Sequence, residues 1–477
     1  MQVNSSKILE EKRPLMKKLL AGLLETYTYA SILAVDAEGK SYAVSRAGIN
    51  IAKSDVWSEC GYVIKVYDGE SYGEYAFNHL EEDQIDGIVT RIKEQLMPWK
   101  EALAAGLCTK QYPRMDEEEA SFEKSTECGR MPGQMGDGEV IEKLKAVRDK
   151  ALTQREDLID CRTACSYQVA HKIFLSPKKE LAQNVMWTTG VLVAMAAKGE
   201  EIKTSFASCG GLCGLETLDE MEGLIPGVMD SIGYLLVSEP MVPGEYDCIC
   251  TPEVTGMIVH EAFGHGVEMD MFVKKRALAE KYVGEYVASP LVTMHDGAAV
   301  AIDQSATFFF DDEGTPAQDT IVIDHGVLKG GICDAQAGMA LHCAPTGNGR
   351  RQSTDHKAYT RMTNTYFEGG NDKLEDMIAS IENGVMLCEA TSGMEDPKNW
   401  GIQCMVNYAR EIKNGKFTGR VFSPIVLTGY VPDLLKSISM MSETPKLSGA
   451  GMCGKGHKEW VKVSDGGPYI KARIRLG

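Results

Sequence analysis

HEAFGHGVEMD, residues 260–270, sets a carboxylate, Glu261, directly after one imidazole, His260, and returns a second imidazole at His265. Two histidines with a carboxylate between them are the parts of a zinc hydrolase: the imidazoles hold a metal and the carboxylate works as a base on water. Histidines four residues apart stack on one helical face. Here the spacing is five, which on a regular α-helix turns the second side chain about 140° off that face. Both rings reach one metal only if the helix widens, and a single π-type turn does this. Gly264 and Gly266 flank His265 and let the backbone distort at little steric cost. The structural alternative is a core histidine at 260 and a helix-terminal cap at 265.

Outward from this stretch, YDCICTPEV (246–254) enters the helix from a strand-like run, with Pro252 suited to an early helical position. Downstream the chain turns β-rich. Turns are expected at Asp312-Glu313-Gly314, read as a solvated hairpin, and at His325-Gly326. Strands are expected at 361–367, 384–391, 401–412 and 416–420, with a helix near 371–381. Upstream, 161–176, 180–197 and 201–209 read as a meander of long antiparallel strands, followed by a helix from Thr217 to Leu236. The opening segment reads as an α/β layer. It has helices at 6–25 and 82–103, strand-like runs on either side of Asp36-Ala37-Glu38-Gly39, and a hairpin around Asp68-Gly69.

Polar MDEEEASFEKS and MPGQMGDG within 109–138, and Pro240 with Pro243-Gly244, mark boundaries. The expected division is an N-terminal α/β subdomain at 1–108, a middle subdomain of long antiparallel strands plus helices at 109–240, and a C-terminal domain at 241–477 that carries the histidine motif. The fold class is α+β: an α/β and antiparallel-sheet region followed by a β-rich domain carrying the metal-binding helix.

A formal charge of −18 offers no phosphate-neutralising field, so no nucleic-acid partner is expected. The N-terminus lacks an apolar signal core, and the most apolar run, 185–197, is too short to span a bilayer and reads as a buried strand. No membrane association is expected. Fourteen cysteines without knuckle spacing suit small buried thiols in a reducing cytoplasm.

Two imidazoles do not complete a catalytic zinc site. LSGAGMCGKGHKEW (447–460) offers Cys453 and His457, although on residue type alone Cys453 reads as a small buried thiol rather than a ligand. Gly449-x-Gly451-x-x-Gly454 also spells a dinucleotide fingerprint, but no helix pattern follows it and no βαβ frame surrounds it.

HEAFGHG with EMD, FFFDDEGTPAQ (308–318), TGNGRRQS (346–353), RMTNTY (361–366) and GMCGKG (451–456) occur in one order. Together they resemble the TldD/PmbA family, once called modulators of DNA gyrase, most closely over about 240–460 and by layout alone before that. The chain is similar to the TldD-type member, which carries an HExxxH zinc motif and a distant cysteine; the PmbA (TldE) type lacks those ligands. The resemblance implies a Zn²⁺ cofactor held by His260, His265 and Cys453, with Glu261 as catalytic base. It also implies peptidase activity on small or unfolded peptide substrates, and assembly as a homodimer or a heterodimer with a PmbA/TldE-type chain. Substrate-binding residues are not assigned. RMTNTYF alternates like a strand edge on which a peptide could lie, with Arg361 or Asn364 holding its polar atoms; an ordinary sheet strand is the alternative. The competing functions are a non-catalytic PmbA-like subunit that captures peptides for a partner and a metal-dependent hydrolase of non-peptide amides.

Overall fold

The computed structural model describes every residue except 54–57, 97–98, 108–110, 300–302, 450 and 457. His457 therefore lies outside the described residues. The N-terminal half is built on one eight-stranded sheet. Its spine runs Tyr72–Phe77, Glu59–Tyr67, Tyr29–Ser45, Leu158–Leu175, Lys179–Lys198, Ala120–Ser125, with Gly48–Lys53 and Glu201–Gly211 attached beside it. Strands from both the 1–108 and the 109–240 segments thus share a single sheet.

Helix Lys7–Leu24 buries Leu9, Met16, Leu19 and Leu23 on this sheet, and helix Ile85–Gln95 adds Ile85, Ile88 and Ile92 to the same cluster. These positions recur at helical spacing, so each helix presents one apolar stripe to the strands. Ser6 caps the first helix by accepting from Leu9 N–H at 3.2 Å. Helices Asp137–Leu152 and Ile225–Leu236 cover the other stretch of the sheet around Val140, Leu144, Val228 and Ile232.

The expected meander is present as Leu158–Leu175, Lys179–Lys198 and Glu201–Gly211, and 185–197 is a mostly buried strand. The turn expected at Asp36-Ala37-Glu38-Gly39 is absent. Tyr29–Ser45 runs straight through it, because Ala37 pairs with Glu59 on one side and with Ala170 on the other. Pairing on both edges overrides the local turn preference. The chain reverses instead between Ser45 and Gly48, whose φ of +131° suits glycine.

The C-terminal half is strand-rich. Asn383–Asp396 pairs with both Gly244–Cys250 and Gly401–Lys413, so the run Asn383–Asp396, Gly244–Cys250, Ile470–Leu476, Ile425–Tyr430, Gly401–Lys413 closes on itself. A six-stranded sheet, from Val327–Leu328 through Asp319–Asp324, Met294–Gly297, Asn364–Phe367 and Ser464–Gly467 to Lys446–Ser448, lies against it. Helix Pro252–Val259 is wedged between the two, with Val254, Ile258 and Val259 fully buried against Leu387, Ile402 and Leu427. That burial fixes where the residues after Val259 emerge.

Asn364–Phe367 is an interior strand, antiparallel to Met294–Gly297 and parallel to Ser464–Gly467. It offers no edge for a peptide. Asn364 is itself buried and donates to the Gly297 carbonyl at 2.8 Å. The DDEG turn is also not solvated: Asp312 and Glu313 are buried, pairing with Lys172 and Lys65 of the N-terminal sheet. Gly314, at φ +74°, lies so close to Phe174 that a Cβ there would meet its ring at 2.3 Å. This turn clamps the two halves together.

Candidate metal centre

Helix Pro252–Val259 passes into a π-turn over His260–Gly264, and His265 N–H bonds back to the His260 carbonyl, an i to i+5 bond. This is the widening that the five-residue spacing requires. It sets the two rings 5.3 Å apart at 89°. Gly264 supplies the room, since a Cβ there would lie 2.1 Å from Met362 Sδ. Gly264→Ala gains roughly 1 kcal/mol of helix propensity, against about 1–3 kcal/mol for overpacking the buried Met362. Chemical denaturation is expected to show a net loss of stability; a stabilised variant would mean that the turn does not need the glycine.

The third group arrives on a hairpin, Met452–Lys455 with Lys458–Lys462, in which Cys453 faces Val461. Cys453 Sγ lies 3.2 Å from His265 Nε2, and the donor atoms of His260, His265 and Cys453 all fall within 4.8 Å of one another. His260 Nδ1 is buried without a hydrogen-bond partner, with Asp465 Oδ2 3.9 Å away. Burial alone would lower both imidazoles, but the Cys453 sulfur together with Asp465 at His260 and Glu268 at His265 outweighs it, raising His260 to about 9 and His265 well above its ordinary value. Burial would likewise raise the thiol, yet the two rings hold it well below its usual range. A thiolate and two imidazoles in mutual contact are a soft, tetrahedral-type donor set, and they fit a zinc ion.

The surroundings hold these donors in place. Glu268, three residues past His265, accepts at its Nδ1 at 3.3 Å, leaving Nε2 turned toward the sulfur. A carboxylate behind a histidine in this way fixes the ring tautomer and orientation for metal binding. Glu268 is buried, but Lys455, 3.1 Å away, and His265 hold its carboxyl far below the usual carboxylate range. Arg361, fully buried, donates to the carbonyls of Cys453, at 2.9 Å, and Glu459, and lies 3.5 Å from Glu268. It pins the cysteine hairpin to the histidine segment. Of the two readings of Arg361, a hold on a peptide's polar atoms or an ordinary strand residue, the first finds no support: its guanidinium is spent on the protein.

Glu261 is adjacent in sequence but stands outside the donor group. Its Cγ packs on Gly393, where a Cβ would come within 2.4 Å. Burial raises its carboxyl, while His260 and His265 pull the other way. Glu261, the three donors, Met257, Met271 and Trp460 line a cleft of about 2110 Å³, counted to its open mouth. Sequence reading missed Glu395 on the same wall: both its oxygens are buried without a hydrogen-bond partner, and burial pushes it up to about 9. It is a neutral acid near Glu261, and one glutamate among many gave no signal of this.

Residues 243–474 match the family model for the PmbA/TldA metallopeptidase C-terminal domain. A protein of Methanothermobacter thermautotrophicus named a metalloprotease is 32% identical over 284 residues, covering 59% of this chain and 61% of the relative. A Saccharolobus solfataricus protein named a zinc metalloprotease TldD homolog is 31% identical over 235 residues, 49% of this chain and 52% of the relative. The chain thus spans between half and two thirds of the length of these relatives. Among solved structures, TldE from Thermococcus kodakarensis superposes with a TM-score of 0.74 over 97% of this chain and 100% of its own, at 17% identity, which shows a shared fold. By residues 243–474 the chain carries the metallopeptidase C-terminal domain of the PmbA/TldD family.

Proposed function

We propose that the protein is a zinc-dependent peptidase that hydrolyses small or unfolded peptides. The observation that carries this is the convergence of His260, His265 and Cys453 within 4.8 Å, beside a carboxylate that takes no part in the donor set. A zinc ion held by these three residues supplies Lewis acidity for the scissile carbonyl and for a water nucleophile. Glu261 accepts the proton of the attacking water and returns it to the leaving amine, so one carboxyl serves as base and then acid. Glu268 keeps the His265 ring turned toward the centre, and Arg361 keeps the hairpin in register with it. The cleft admits extended chain and excludes folded domains by size.

The same reading places the protein in the cytoplasm as a dimer, with an identical chain or a PmbA/TldE-type one; this rests on the family and on the free cysteines. No described helix is long and apolar enough to cross a membrane. Purified protein stripped with a chelator is expected to lose cleavage of an unstructured peptide and to regain it with about one equivalent of zinc per chain. A chain that takes up no zinc on reconstitution would instead be a peptide-capturing subunit. One that takes up zinc and cuts simple amides but no peptide would be an amide hydrolase.

A further inference from the structure

The hairpin that carries Cys453 has a second face. Lys462, on its far strand, lines a cleft of about 820 Å³, counted to its mouth, between the N-terminal sheet and the loops 305–312 and 350–352. Four cationic side chains line this cleft, and they divide into two kinds. Lys172 pairs with Asp312, and Arg351 pairs with Glu74 at 2.7 Å. Among the described residues neither Lys462 nor Arg350 forms an ion pair, although Asp312 and Asp296 lie near enough to act on Arg350. Lys462 is 6% exposed, and its Nζ sits 4.7 Å from the centroid of the Trp187 ring with no hydrogen-bond acceptor. Arg350 makes one hydrogen bond, to the Met362 carbonyl at 2.6 Å, and lies over the Phe308 ring. In a chain of net charge −18, a buried Lys462 ammonium with no ion-pair partner among the described residues, facing a cleft that also holds the Arg350 guanidinium, calls for an external anion.

We propose that this cleft is a second ligand site, for a small monocarboxylate with an apolar body, its carboxylate held between Lys462 and Arg350. A planar guanidinium matches a carboxylate in two-point geometry, and the ammonium adds a point charge. Ala170, Val185 and Phe308 supply the apolar wall. Glu59, Asp311 and the Lys172-paired Asp312 also line the cleft, which disfavours phosphates and other multiply charged anions. Burial pulls the Lys462 ammonium down to about 7 and Arg350 down to about 10, costs that a bound carboxylate offsets. The site is separate from the metal centre and does not depend on the peptidase reading.

Isothermal titration of the full-length protein with benzoate, against its neutral isostere benzamide, tests the proposal. Benzoate binds and benzamide does not; Lys462→Met and Lys462→Gln each weaken benzoate by about tenfold or more, with unfolding temperatures, measured without ligand, at or above that of the parent. N-acetylphenylalanine and its amide form the second arm. Tighter binding of that acid than of benzoate assigns a peptide's terminal carboxylate as the source, and the reverse assigns a free acid. Equal binding of benzoate and benzamide, no binding of either acid, or undiminished binding by well-folded Lys462 variants overturns the proposal.

Discussion

Glu261→Gln is expected to keep about one zinc per chain and to lose about 10²–10⁴-fold in peptide cleavage. The reason is positional. His260 carries the metal-directed ring and Glu261 follows it immediately, yet the Glu261 side chain leaves the donor group and packs on the bare backbone of Gly393. Glutamine preserves that packing and the apolar reach but cannot accept a proton. It also removes a buried carboxyl, so folding is not threatened. The loss should fall on kcat with KM little changed, because the proton transfer belongs to the transition state and not to ground-state binding. Zinc analysis and Michaelis kinetics on the same sample separate the two effects. Cleavage by the zinc-loaded variant at the parental rate would remove Glu261 from the mechanism.

The histidine pair was legible in advance because its constraint is local. Five-residue spacing, two flanking glycines and one metal leave a widened turn as the solution, and His265 N–H bonds to the His260 carbonyl accordingly. The strand-rich C-terminal half was legible for a similar reason, since the apolar run at 384–388 and the alternation along 401–406 are properties of each segment alone. What could not be read were the residues whose role depends on who arrives from elsewhere. Cys453 lies 188 residues from His265, and nothing in its own neighbourhood distinguishes it from a buried thiol; only the family resemblance singled it out. Arg361 could be read as a hold for a peptide or as an exposed residue of an ordinary strand, because an arginine in an alternating run is usually exposed. It is instead consumed by two carbonyls of the hairpin. Asp312 and Glu313 looked solvated because the lysines that bury them, Lys172 and Lys65, sit in a different half of the chain. In each miss a long-range partner reversed a preference that was sound locally.

Cys453→Ala is expected to lower zinc affinity by more than the roughly 10–100-fold typical of residues that only support a metal ligand, because it removes one of three donors outright. The metal-free fold should survive. Against burial, the sulfur is the main group that raises the two imidazoles, with Glu268 acting on His265 and Asp465 on His260 beside it. With the thiolate gone, His265 keeps its carboxylate partner Glu268, while at His260 burial favours the neutral ring, so no unpaired charge is stranded. Metal-free parent and variant should therefore unfold at similar temperatures. Zinc at a hundredfold excess over the parent's dissociation constant should stabilise the parent by about 2.7 kcal/mol and the variant by far less. Cys161→Ala is the matched control: it deletes an equally buried thiol in the N-terminal sheet, far along the chain from either histidine, and should leave zinc affinity unchanged. If Cys453→Ala and Cys161→Ala bind zinc alike, the sulfur is a core residue that happens to touch His265, and the centre has only two protein donors.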